Sequence, residues 1–307
     1  MAETVKRVLI TGKNSYIGAS FAEYVGKNYP DSFRIDAVSL RDGSFREMSF
    51  SEYDAVFHVA GIAHADVGTV TEEGRREYYR VNRDLAVETA AKAKTDGVGQ
   101  FVYMSSMIIY GAAEHVTKRT IPCPSNFYGD SKWQGDQGVR ELAGDGFQVA
   151  VLRPPMIYGK GSKGNYPMLA KMAAKLPVFP KVKNQRSMLY IENLCEFLRL
   201  LMEDGRGGVF FPQNKGTVST SELVKEIARI HGHGIWVTSL LAPFVAVGKR
   251  LPGKAGNLCR KAFGSSYYDL DMSETGWNYE TADWAESLKR TEGKTNEPFG
   301  VDYNSDS

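Results

Sequence analysis

Tyr128 and Lys132 form the only Tyr-x-x-x-Lys in the chain. At that spacing both side chains fall on one face of a helix. An ammonium beside a phenol favours the phenolate and is expected to lower its pKa. Tyr128 is then a usable general acid or base near neutral pH. Ser106 stands 22 residues upstream, where the apolar run FVYMS ends. A serine at the carboxyl end of a strand can hydrogen-bond both a substrate oxygen and Tyr128.

A second candidate site is a turn. The run VKRVLI leads into Thr11-Gly12-Lys13-Asn14-Ser15-Tyr16-Ile17-Gly18, and a helical pattern follows. A strand–turn–helix start aims free backbone N–H groups and the helix dipole at one point, which suits a phosphate. Gly12 permits the tight turn, and Gly18 permits close packing of helix on strand. Ser15, Tyr16 and Ile17 complete the candidate cradle.

These residues need a frame. Strand-like runs occur at Val5–Ile10, Phe33–Leu40, Ala55–Ala60, Gln100–Ser105 and Gln148–Arg153. Helical patterns fill Ile17–Asn28, about Glu73–Lys94 and Ser131–Leu142. Apolar strands alternating with helices predict an α/β fold, a Rossmann-like doubly wound parallel sheet covered on both faces. After Arg153 the pattern breaks at Pro154-Pro155 and at Gly159, Gly161 and Gly164. Helices are expected again at Asn193–Glu203 and Ser221–His231, and a strand at Gly208–Pro212. The expected division is a dinucleotide-binding domain over 1–156 and 187–215. A smaller C-terminal α/β substrate lobe takes 157–186 and 216–300, and 301–307 is a frayed tail.

Several segments, in order, resemble the extended short-chain dehydrogenase/reductase family, specifically its nucleotide-sugar epimerase and dehydratase group. TGKNSYIG is similar to that family's TGxxGxIG, with Ser15 in place of the middle glycine. FHVAG is similar to its HxAA, which implies that the backbone at Ala60 and Gly61 passes the cofactor. Val81-Asn82 resembles the VN that pins the active-site strand. SSMIIYG resembles SSxxVYG, which makes Ser106 catalytic and sets Ser105 near the nicotinamide. Tyr128 and Lys132 are the family's acid/base pair, and Lys132 also holds the nicotinamide ribose. RPPMIYG resembles RPxxxYG. RSMLYI resembles RDxxxV, whose arginine, here Arg186, meets the substrate diphosphate. The segment GKGSKGNYP adds Asn165 as a substrate contact, with Ser106 and Tyr128. The resemblance spans about residues 8 to 195.

The cofactor implied is NAD or NADP. NAD-binding members of such folds place a carboxylate after the second strand. Here that position falls near Ser39, with Arg41 and Asp42 close by. The family favours NAD, whereas Ser39 and Arg41 suit the 2′-phosphate of NADP. The implied substrate is a UDP-sugar. Its reaction is 4-epimerisation by hydride transfer at C4 of a hexose or N-acetylhexosamine. The alternative is 4-reduction of a UDP-4-keto-6-deoxy-N-acetylhexosamine. RPPMIYGKGSKGNYP resembles such reductases, and Met156 stands where many epimerases have asparagine. Dehydratases carry Asp-Glu after the catalytic residue; Met107-Ile108 stand there instead. A non-catalytic dinucleotide-binding module is a third reading, opposed by the intact Ser106, Tyr128 and Lys132.

Composition narrows the remaining classes. The chain has 307 residues, 42% hydrophobic and 24% charged, as an ordinary globular protein has. Its 38 Lys and Arg against 36 Asp and Glu give no overall basic excess for nucleic acid. Cys123, Cys195 and Cys259 are widely spaced and expected to be reduced thiols. His58 lies in an apolar strand, and His64, His115, His231 and His233 form no ligand-like set, so no metal is expected. The longest apolar run, Ile235–Val247, is interrupted and shorter than the roughly 18 residues of a membrane span. A cytoplasmic protein is expected. A homodimer is expected through the helices at 73–94 and 131–142. Tyr78, Val81, Leu85, Thr89 and Lys92 then face the sheet, and Tyr79, Ala86 and Ala90 face the partner.

Overall fold

The computed structural model describes residues 5–63 and 70–293. The expected tail at 301–307 and His64 lie outside the described residues. In the first half, β1 (Lys6–Thr11), α1 (Tyr16–Asn28), β2 (Phe33–Val38) and β3 (Ala55–His58) follow one another. The expected long helix comes as α2 (Glu72–Tyr79) and α3 (Leu85–Thr95), joined by a π turn over Arg80–Asp84. Then come β4 (Gln100–Met104), β5 (His115–Val116), α4 (Phe127–Arg140) and β6 (Gln148–Leu152).

The second half begins with β7 (Met156–Tyr158), α5 (Asn165–Lys175), β8 (Val178–Pro180) and β9 (Met188–Tyr190). It continues with α6 (Ile191–Asp204), β10 (Gly208–Phe210), α7 (Thr220–Ile230) and β11 (Trp236–Thr238). It closes with α8 (Ala242–Arg250), α9 (Gly253–Phe263), β12 (Tyr267–Tyr268) and α10 (Trp284–Glu292).

Six strands make one parallel sheet in the order β10-β6-β4-β3-β1-β2. β3 and β4 are buried at every position. Both faces are therefore covered, as a parallel sheet requires. Phe21 and Val25 of α1 pack with Leu194, Phe197 and Leu201 of α6 on one face. Leu85, Ala86 and Ala90 of α3 pack with Val139 of α4 on the other. The chain leaves β1 to β2 on one side and returns to β3 on the other. The carboxyl ends of β1 and β3 therefore flank the point where ligands bind in such sheets. Smaller parallel pairs, β7–β9, β8–β11 and β5–β12, carry the chain beyond the main sheet.

Two expectations need correction. Ala86 and Ala90 face the core at 0% exposure, so they are not free for a partner. One π turn between α2 and α3 re-phases the helix, so Leu85, Ala86, Thr89, Ala90 and Ala93 form one buried stripe while Tyr79 stays on the outer side and donates to Asp130. The helix expected from Ser131 begins four residues earlier, at Phe127, because the Asn126 side chain accepts from the Gly129 N–H and caps it. Tyr128 thus lies inside the helix.

Candidate active site

The cradle is built where two βα turns touch. The N–H groups of Val59 and Ala60 donate to the Thr11 carbonyl at 3.0 and 2.8 Å. Gly12 has φ +118°, and a Cβ there would stand 2.8 Å from the Ala60 nitrogen. No other residue fits that turn without displacing the backbone. Ser15, in the place of the family's middle glycine, caps α1: its Oγ accepts from the Gly18 N–H at 3.1 Å. Its hydroxyl proton remains available to a phosphate. Ile17 packs against the core, and Tyr16 reaches Gly159 in the turn after β7. α1 carries no acidic residue in its first turn, so its N-terminal dipole is uncancelled.

Past β2, Ser39 Oγ accepts from the Arg41 N–H at 3.2 Å, and Arg41 is exposed. Asp42 is tied to Ser44 through the Ser44 N–H and hydroxyl, which also lower its pKa. Ser105 Oγ is buried without a hydrogen-bond partner. That orphaned hydroxyl, the Gly12 cradle and the open α1 N-terminus together fit a dinucleotide.

Lys132 and Asn82 meet at Gly61. A Cβ at Gly61 would lie 2.9 Å from Lys132 Nζ and 3.0 Å from Asn82 Oδ1. Asn82, fully buried in the π turn, accepts from the Ile62 N–H and donates to Ser131 Oγ at 3.1 Å. Ser131 in turn donates to the Tyr128 carbonyl at 2.9 Å. Asn82 thereby fixes the first turn of α4.

At the end of β4, Ser106 begins a short 3₁₀ turn over Met107–Tyr110, with its Oγ accepting from the Ile108 N–H. The Tyr128 phenol faces it, stacked edge-on against Tyr78 at 6.0 Å. Burial pushes the Tyr128 pKa up to about 12, and Tyr78 adds to the rise. The Ser106 hydroxyl works the other way, by stabilising the phenolate. The expected lowering by Lys132 is absent. Its ammonium donates to the Met104 carbonyl at 3.1 Å and lies over the Tyr103 ring, 5.2 Å from its centre. Burial brings Lys132 itself down to about 8.

The sequence reading missed Asp136. It sits one turn beyond Lys132 on the same helix face and is fully buried. Arg153, at the end of β6, grips it with two bonds of 2.8 and 2.9 Å and also donates to the Tyr110 hydroxyl at 2.9 Å. The i+8 spacing from Tyr128 was the signal available in the sequence. This fork locks α4 to the sheet and holds Tyr128 and Lys132 at the strand end.

The two substrate candidates stand elsewhere. Asn165 is the exposed first residue of α5. Arg186 is buried, and its Nη1 donates to the carbonyls of Lys261 and Ala262 at the end of α9. One path joins it to the carboxyl end of β4. Ser187 bonds the Ser266 carbonyl, and the Ser266 hydroxyl meets Met107, next to Ser106. His58 is fully buried, with Nδ1 2.9 Å from Thr11 Oγ1. Among the described residues no group of three or more His, Cys, Asp or Glu is placed to hold a metal. The three cysteines are unpaired. No helix among the described residues is long and apolar enough to cross a membrane.

A doubly wound sheet, a glycine-bounded anion cradle and a Ser–Tyr–Lys cluster at a strand end define an enzyme of the extended short-chain dehydrogenase/reductase type. The chain belongs to the NAD dependent epimerase/dehydratase family, whose pattern it matches over residues 8–210. It is 26% identical over 247 residues to a UDP-glucose 4-epimerase of Vibrio cholerae, covering 73% of this chain and 75% of that protein. It is 27% identical over 241 residues to an N-acetyl-alpha-D-glucosaminyl-diphospho-ditrans,octacis-undecaprenol 4-epimerase of Escherichia coli O157:H7, covering 72% of this chain and 71% of that one. In fold it is similar to a dTDP-4-dehydrorhamnose reductase of Clostridium acetobutylicum. The TM-score is 0.71 at 19% identity, over 93% of this chain and 98% of that one.

Proposed function

We propose that the chain is an NAD(P)-dependent UDP-sugar 4-epimerase acting on a nucleotide-linked hexose or N-acetylhexosamine. The observation that carries this reading is the Tyr128 phenol facing Ser106 at the carboxyl end of β4, beside the orphaned Ser105 hydroxyl. The bound nicotinamide supplies a hydride acceptor and donor. Ser106 Oγ orients the C4 oxygen. Tyr128 Oη takes the C4-hydroxyl proton as hydride leaves C4, and returns it after the 4-keto sugar has presented its other face. Lys132 holds the nicotinamide ribose. Drawn from the Met104 carbonyl toward ribose and phenol, its ammonium favours the phenolate that the oxidation step needs.

The lobe formed by 157–186 and 216–300 closes over the nucleotide sugar in this reading. Arg186 and Asn165 contact its diphosphate and sugar. The buried Arg186 guanidinium, with no carboxylate among its bonds, supports a role toward an anion. The enzyme is placed in the cytoplasm. A homodimer through α2–α4 is proposed with it, and light scattering at about twice the chain mass tests that. The surface that α2 and α4 would offer a partner is polar, with Tyr79, Asp130, Gln134 and Arg83 hydrogen-bonded to one another within the chain.

The 4-reductase reading has its own support. Ser39 and the exposed Arg41 offer no carboxylate to repel a 2′-phosphate, and Asp42 is held by Ser44. One measurement separates the two. The purified protein is denatured and the supernatant is scanned for released dinucleotide. Stoichiometric NAD supports the epimerase. An empty protein that takes up NADPH overturns it in favour of the reductase.

A further inference from the structure

The α8–α9 hairpin is packed inside out. Its two helices meet through small residues: a Cβ at Gly248 would stand 2.9 Å from Cys259 Sγ, and one at Gly256 would collide with the Leu251 carbonyl. Cys259 donates to the Val245 carbonyl, and Arg260 ties the connection through the carbonyls of Lys249 and Leu251. The Arg186 guanidinium holds the far end of α9. The hairpin is therefore a fixed part of the fold, although α8 has no buried residue.

The bulky side chains point outward. Leu240, Phe244, Val247 and Leu251 recur at spacings of four, three and four, which is one helical stripe. They are 73%, 73%, 60% and 45% exposed, and Trp236 of β11 and Leu258 of α9 are 63% and 53% exposed. Single exposed apolar residues are ordinary, but a stripe of this kind marks an interaction surface. α5, which packs against α9, extends it with a groove of about 480 Å³ lined by Pro167, Met168, Met172 and Leu176.

Charge identifies the occupant. Residues 157–186 and 231–268 contain twelve Lys and Arg and no Asp or Glu, in a chain whose net charge is only +2. Lys249 and Arg250 end α8, and Lys171 and Lys175 rim the α5 groove. An apolar stripe with an exposed tryptophan, flanked by Lys249 and Arg250 and by Lys171 and Lys175, matches the headgroup boundary of an anionic bilayer. A second copy of the same surface would set like charges against each other.

We infer that the α8–α9 hairpin and the adjoining α5 groove dock this protein peripherally on an anionic membrane surface. The test is co-sedimentation of the full chain with phosphatidylglycerol–phosphatidylethanolamine vesicles and with phosphatidylcholine vesicles. Binding should be about tenfold or more stronger to the anionic vesicles and released by high salt. Phe244→Ser/Leu258→Ser and Lys249→Glu/Arg250→Glu should each weaken it about tenfold or more, with unchanged melting temperature and dinucleotide binding. The inference is overturned by a wild type that stays in the supernatant with anionic vesicles, or by binding that survives both double variants. It is equally overturned if the variants dissolve a self-association seen by light scattering and leave vesicle binding unaltered.

Discussion

At Tyr128, burial and the intended chemistry pull in opposite directions. The phenol stands at about 12 and the neighbouring ammonium at about 8, both displaced chiefly by loss of solvent. With its pKa raised the phenol keeps its proton near neutral pH, the form that the proposed reductive half-reaction needs. The spacing of Tyr128, Lys132 and Ser106 was legible in the sequence. The direction of the Lys132 side chain was not, because it depends on which carbonyl, here that of Met104, ends the neighbouring strand. Tyr128→Phe should lower turnover by about 10² or more and leave dinucleotide binding nearly intact. Turnover at the wild-type rate would remove Tyr128 from the mechanism. His58 supplies a second residue-scale expectation. Burial, with the Lys132 charge, lowers its pKa to about 3, against 6.5 for the free side chain. Between these values the unfolded chain binds the extra proton, so stability falls as pH falls from 6.5 toward 3. The slope is about 1.4 kcal/mol per pH unit for one proton. Urea unfolding of His58→Asn across that window should show a shallower slope than wild type. Parallel curves would mean that other groups carry the acid sensitivity.

The element that matters most is α4. It carries Tyr128 and Lys132 on one side and is held from below by the Arg153–Asp136 fork. Arg153 is buried and Asp136 is the carboxylate it grips, so removal of Asp136 leaves the Arg153 guanidinium uncompensated. Asp136→Ala should cost about 3–5 kcal/mol in stability, and Asp136→Asn should lower activity more than it lowers the melting temperature. Equal melting curves for wild type and Asp136→Ala would contradict this account. The glycines of α4 look like weak helix formers in the sequence. The structure gives one of them a purpose: a side chain at Gly135 would collide with the Asn82 carbonyl, so its absence lets α4 reach the π turn. Strands and most helices were readable from alternation. The π turn was not, since Arg80–Asp84 contains no Gly or Pro to announce it. Missing that one turn misassigned Ala86 and Ala90 to a partner-facing side.

For the whole molecule, the doubly wound class followed from apolar strands separated by helices. The return of β10 to the edge of the sheet, beside β6, followed less directly, because three residues give little periodicity. The named strand pairs share one property: each is parallel. None of these strand pairs can therefore be closed by a short hairpin, and each of these ladders waits for a crossover to be formed first. The chain has no cheap place to begin, and refolding from urea should proceed on the slow, milliseconds-to-seconds side for domains of its kind. A sub-millisecond single phase would speak against that. During synthesis the constraint becomes an order of events. β1 is made first and can pair with β2 and β3 early, but the last edge of the sheet stays open until Phe210 has left the ribosome. Until then the nascent chain presents one open edge of β6, with Val149, Val151 and Leu152 on it, which makes this interval the one in which a chaperone would be needed most.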